Sequence, residues 1–156
     1  MTTTKANTLL KTSMAVGVAA GAGGLVTDAK SDWYRELDKP SWQPPPQAFG
    51  IVWPALYGLI AYSAGRAMDR APAGERRGVA QMLGVNLALN TGWSALFFAA
   101  KKPRVALGEI VALNVSNALL VSKAWRADRT AGMLLLPYAA WTAFATVLNS
   151  AIVRRN

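Results

Sequence analysis

Val79–Ala100 reads VAQMLGVNLALNTGWSALFFAA, 22 residues without a charged side chain. At about 1.5 Å per residue, a helix of this length crosses the roughly 30 Å of hydrocarbon in a bilayer. Thr130–Val153 is a second such run, uncharged over 24 residues. A surface helix of a soluble protein needs a polar face, and neither run supplies one. Working outward, apolar stretches recur at about 9–26, 48–68 and 105–122, making five spans in all. The chain has 156 residues, 53% of them hydrophobic, with a net charge of +9. Its charges gather in linkers such as 69–78, 101–104 and 123–129. This is the pattern of an integral, multi-pass membrane protein. The expected fold is all-α, a single domain over residues 1–156 built as a bundle of five transmembrane helices.

Two readings of the basic excess and of the first span compete with that expectation. Lys and Arg could serve nucleic acid, but no recognition motif accompanies them, and loop ends beside lipid headgroups account for them. The first span, with its basic start and Ala20-Gly21-Ala22, also has the outline of a secretory signal with a small-residue cleavage site. Lys and Arg divide nine to eight between the two faces of a five-span topology. Orientation therefore stays open, although five spans put the termini on opposite sides. The chain has no Cys and no His. Disulfides, thiolate nucleophiles, imidazole bases, structural zinc sites and the usual haem ligands are excluded. No metal site, cofactor or catalytic residue is expected.

Polar groups in hydrocarbon are costly, so their placement is informative. On the third span Asn86, Asn90, Trp93 and Phe97 form one helical stripe, which should face the bundle interior. Gly84, Ala88 and Gly92 form another, nearly opposite, where small residues permit close approach of a neighbouring helix, including one from a second copy. The fifth span carries Tyr138, Trp141, Ala145 and Asn149 on one side, with Pro137 just before them as an expected kink. The second carries Phe49, Trp53 and Tyr57, with Pro54 near its start. The fourth has Glu109, Leu113, Ser116 and Asn117 on one side, Glu109 being the only acidic residue well inside a span. Interfacial anchoring by Trp and Tyr, and helix-to-helix bonding by Asn, would explain any one of these residues alone. Aromatic stripes at matching depth on three helices point instead to an aromatic-lined cavity.

The longest linker, about 27–47, supplies a cover. Lys39–Pro54 (KPSWQPPPQAFGIVWP) holds five of the chain's eight prolines and two of its six tryptophans. Pro44-Pro45-Pro46 makes a stiff, extended strut. Trp33, Tyr34 and Trp42 need apolar shelter, which the open end of the bundle provides. A rigid lid loses little entropy when it is held over a cavity.

The stretch WYRELDKPSWQPPPQAFGIVWPALY, with LALNTGWSALFF and LPYAAWTAFATVLN at the right separations, resembles the TspO/MBR family of tryptophan-rich sensory proteins and translocator proteins. The likeness runs from about Trp33 to Arg154; the first span fits by length and placement, which favours a membrane helix over a cleaved signal. The resemblance implies a homodimeric five-helix protein, expected in a bacterial cell membrane, that acts as receptor or transporter. It implies a pocket for tetrapyrroles such as protoporphyrin IX and for sterol-like or synthetic aromatic ligands. Family pocket positions fall on Tyr34, Trp53, Asn90, Trp141 and Ala145, with Trp42, Asn86, Trp93, Phe97 and Tyr138 beside them. Charge alone places Arg35 and Lys39 on the lid, where porphyrin carboxylates would meet them. Sterol is not expected: the C-terminal sterol consensus of vertebrate members needs a Tyr, and this chain has Ser150 in that region. Leu59, Tyr62 and Arg66 fit the loose sterol pattern elsewhere. Light- or oxygen-dependent porphyrin breakdown is the enzymatic alternative implied by the family, and an interaction protein working through its dimer face is a third reading.

Overall fold

The computed structural model describes residues 2–156, among which there is no strand. Helix α1 spans Thr2–Val26. The first linker contains a short helix, α2 (Asp32–Glu36). Then follow α3 (Pro46–Arg70), α4 (Ala73–Ser94), α5 (Pro103–Ala127) and α6 (Arg129–Arg155). A π-helical turn, Ala95–Ala99, extends α4. Five helices (α1, α3, α4, α5 and α6) are long and apolar enough to cross a membrane. They run past the hydropathic spans because polar first and last turns are still helical. On α4 that turn is Ala73-Gly74-Glu75-Arg76-Arg77.

Local chemistry fixes several ends. Pro46 and Pro103 occupy first-turn positions, where the missing N–H costs nothing. Asp128 alone separates α5 from α6 and caps the latter, its Oδ1 accepting from the Ala131 N–H at 2.9 Å. Both internal prolines, Pro54 and Pro137, lie within continuous helices.

The helices close a ring in the order α1, α3, α6, α5, α4 and back to α1, with α3 touching the other four. At the end where α3 finishes and α6 begins, the interior is solid. Ile60, Ala64, Ala67, Leu120, Ala124, Ala131 and Leu135 are almost fully buried there. Alanines let the backbones approach closely, and polar clamps add to them. Thr12 Oγ1 donates to the Ala61 carbonyl at 2.9 Å, and Ser63 Oγ to that of Ala131 at 2.6 Å. Arg66 makes two bonds to Asp128, at 2.7 and 3.1 Å. A Cβ on Gly132 would lie 2.8 Å from the Trp125 Cα, so this glycine permits the tight α5–α6 junction. Helix α1 belongs to this packing: its Thr12 and Val16 are buried against the bundle.

The other end is built differently. The linker folds back over it, and Trp33, Tyr34 and Leu37 pack on Phe97, Ala106, Leu148 and Ile152. Asp38 is tied to Asn156 by a reciprocal pair of bonds, each 3.0 Å. The bundle is therefore solid at one end and capped at the other.

Candidate functional site: a capped aromatic cavity

Beneath the linker lies a partly open cavity of about 600 Å³. That volume falls in the range usual for small-molecule and cofactor sites. Four sequence elements supply its aromatic walls. From α3 come Phe49, Trp53 and Tyr57; from α4 and its π-helical turn come Trp93, Phe97 and Phe98; α6 gives Trp141 and the linker gives Tyr34. The rings brace one another. Trp53 meets Trp141 edge-on at 6.5 Å, Phe49 meets Trp141 at 5.6 Å, and Trp93 stacks on Phe97 at 5.1 Å. Such pairs add stability beyond the area they bury and hold the walls in place. The π-helical turn matters here because it shifts the register after Ser94, so Phe97 and Phe98 both reach the cavity.

Small residues shape the rest. Ala145 lines the α6 wall, and Ala20, Gly23 and Gly24 line the α1 wall. On α3, Gly50 and Pro54 both line the cavity. Pro54 has no N–H, which leaves the Gly50 carbonyl without its regular helical donor. No Asp, Glu, Lys or Arg is among the lining residues.

Of the residues singled out from the sequence, the structure brings Tyr34, Trp53, Asn90, Trp93, Phe97, Trp141 and Ala145 to the cavity wall. Asn86 and Tyr138 lie behind it, each about 1% exposed or less. They belong to a hydrogen-bonded chain that begins at the wall. Tyr57 Oη donates to Asn90 Oδ1 (3.0 Å), Asn90 Nδ2 to Tyr138 Oη (3.1 Å), and Tyr138 Oη to Asn86 Oδ1 (3.0 Å). Asn86 Nδ2 continues to Ser116 Oγ and Asn117 Oδ1, and Asn117 Nδ2 to Thr142 Oγ1. This chain ties α3, α4, α5 and α6 together. It engages both ends of the Asn90 carboxamide, which fixes its orientation at the wall. Trp42 stands off the wall, half exposed on the linker, with its ring 5.9 Å from Phe144.

Arg35 and Lys39 are both engaged elsewhere. Lys39 Nζ donates to the carbonyls of Tyr34 (2.5 Å), Leu37 (3.0 Å) and Arg35 (3.3 Å) and sits 4.7 Å from the Tyr34 ring centroid. It closes the carbonyl end of α2 and holds the lid in shape. Arg35 pairs with Asp32. Burial pushes the Tyr34 phenol above its usual range, which keeps it neutral at the cavity mouth.

On α4, Gly84 and Ala88 are exposed, and a Cβ added to Gly84 would meet nothing within 4 Å. Gly92 is turned toward α5, where an added Cβ would lie 3.5 Å from Glu109 Oε1. No group of metal-ligating side chains occurs among the described residues.

Sequence reasoning left out several wall residues. Phe49, Tyr57 and Asn149 stood on recognised stripes but were not placed at the site. Gln43 and the α1 residues carried no signal, since an Ala/Gly-rich helix shows no distinctive face.

A family model described as the TspO/MBR family matches residues 12–155. The chain is 34% identical over 145 residues to the tryptophan-rich protein TspO of Chlorobaculum tepidum, covering 92% of this chain and 90% of that protein. It is 32% identical over 142 residues to the tryptophan-rich sensory protein of Cereibacter sphaeroides, covering 91% and 87%. It is 34% identical over 127 residues to the translocator protein of Homo sapiens, covering 80% and 75%.

Proposed function

Because the chain belongs to the TspO/MBR family, we propose that it is a membrane receptor or transporter whose capped cavity takes a flat, largely apolar guest of the tetrapyrrole class, such as protoporphyrin IX. The observation that carries this reading is the cavity itself: about 600 Å³, walled by indole and phenyl rings from three membrane helices and partly covered by a proline-braced linker. Flat macrocycles are held well by indole faces. The lining bears no charge, so a porphyrin would seat its ring inside and keep its carboxylates at the open mouth, in contact with water or lipid headgroups.

The reading includes a homodimer that meets through the exposed Gly84–Ala88 face of α4, where small side chains let two helices approach. It also places the protein in a bacterial cell membrane with its termini on opposite sides.

Titration of protoporphyrin IX into the purified protein in nanodiscs should quench tryptophan fluorescence saturably. Replacing Trp53 and Trp141 together by Ala should abolish the saturable component. Quenching that is unchanged in the double variant would remove the support for this site. New product absorbance under illumination, lost in the same variant, would add porphyrin breakdown to binding.

A further inference from the structure

We propose that Asn149 Oδ1 is the group by which the cavity selects its ligand, accepting a hydrogen bond from a neutral N–H or O–H. This inference rests on the reading of the cavity as a ligand site and specifies the class of ligand that fills it.

Asn149 lines the cavity and is only 1% exposed. Its Nδ2 donates to the Pro103 carbonyl at 3.1 Å. A carbonyl can only accept, so the amide cannot be turned over, and the other terminus must be the oxygen. That Oδ1 is buried and has no partner. A desolvated acceptor left without a donor is costly, and a ligand that supplies one recovers the loss.

The other polar atoms around the cavity narrow the choice. The Asn90 carboxamide is used at both ends, and the Tyr57 hydroxyl is given to Asn90. Thr142 Oγ1 accepts from Asn117 and donates to Asn114 Oδ1. The Nε1 atoms of Trp93 and Trp141 are buried without partners, and both are donors. The wall thus offers indole donors and two buried side-chain acceptors without partners, Gln43 Oε1 at the linker and Asn149 Oδ1 on α6. Only Asn149 is locked by a carbonyl, since Gln43 bonds the Tyr34 hydroxyl, which can donate or accept. No lining residue is charged. An anionic group placed beside Asn149 would meet an oxygen lone pair with no cation to balance it. A guest that satisfies Asn149 therefore presents a neutral N–H or hydroxyl at its edge, as an open-chain tetrapyrrole does and protoporphyrin IX, with its N–H groups inside the ring, does not, and it directs any carboxylate elsewhere.

The test compares carbazole with 9-methylcarbazole, flat probes that differ in one N–H. Affinities for the full chain in nanodiscs are read from probe fluorescence, beside a protoporphyrin IX titration. The wild type should favour carbazole by about fivefold or more, the effect of one satisfied buried acceptor. In Asn149→Leu that preference should fall to near unity while 9-methylcarbazole still binds, which also shows that the cavity is intact. Should Asn149→Leu not fold, ¹⁵N-labelled carbazole gives an independent readout in the wild type. Its N–H proton should move downfield on binding, and an unmoved resonance overturns the proposal. Equal binding of the two probes by the wild type, with protoporphyrin still quenching, overturns the role of Asn149 and leaves the cavity reading standing. A preference that persists in Asn149→Leu does the same. If neither probe binds and protoporphyrin does not quench, both readings fall.

Discussion

Replacing Tyr138 by Phe removes one oxygen from the centre of the buried polar chain and nothing else. In the wild type that hydroxyl accepts from Asn90 Nδ2 at 3.1 Å and donates to Asn86 Oδ1 at 3.0 Å. Two interhelical bonds are lost, each worth on average about 0.6 kcal/mol in membrane bundles, so the lower bound is about 1.2 kcal/mol. The upper bound comes from leaving two buried polar atoms unpaired, at about 1–3 kcal/mol each. Relief is available, because Asn86 and Asn90 lie one turn apart on α4 and their free ends can turn toward one another. The expected loss is therefore about 1–3 kcal/mol, measured by reversible unfolding in mixed detergent micelles. Tyr138 stands behind the cavity wall, so protoporphyrin affinity should change by less than about threefold, under 1 kcal/mol. A loss of binding without a loss of stability would refute the placement of Tyr138. Unchanged stability would refute the claim that the chain holds α4 against α6.

Gly132→Ala forces a methyl to within 2.8 Å of the Trp125 Cα, a backbone atom that cannot step aside; a destabilisation of about 1–3 kcal/mol is expected in the same unfolding assay. Asp128 is held below its usual carboxylate range, first by the Arg66 guanidinium and then by the Ala131 N–H. A depressed folded-state value means that this stabilisation is complete above the unfolded-state pKa of about 4 and is lost as pH falls through the lower folded-state value. An unfolding series from pH 6 to pH 2 should show that loss, and Asp128→Asn should flatten it. Replacing Gly84 and Ala88 together by Ile should give a monomer by light scattering while porphyrin binding persists, since both residues are exposed and neither lines the cavity. Dimer retained in that variant would place the contact on another face.

Periodicity made much of this legible. Uncharged runs required membrane helices, and the stripe Asn86–Asn90–Trp93–Phe97 correctly announced an inward face. A stripe reports direction but not depth. Asn90, Trp93 and Phe97 reach the cavity wall, whereas Asn86 ends behind it, bonded to Ser116 and Asn117 on α5. On α6, Trp141, Ala145 and Asn149 line the cavity, and Tyr138 from the same stripe does not. Charge on the lid was similarly incomplete evidence. Lys39 is a free cation as a letter in the sequence, and three carbonyls of the folded linker take it up.

The chain's own chemistry determined that it lives in a membrane, how many times it crosses, which helix faces turn inward and that a stiff aromatic linker covers one end. These follow from local rules: hydrocarbon excludes charge, helices repeat every 3.6 residues, and proline fixes its backbone. Tertiary structure decided which polar groups remain free. Asn90 and Asn149 are the same residue type on inward faces of different helices. One is satisfied at both ends, and the other keeps an oxygen without a partner. A hydrogen bond depends on where a second helix places its atoms, and that information lies in the packing, outside any single stretch of sequence.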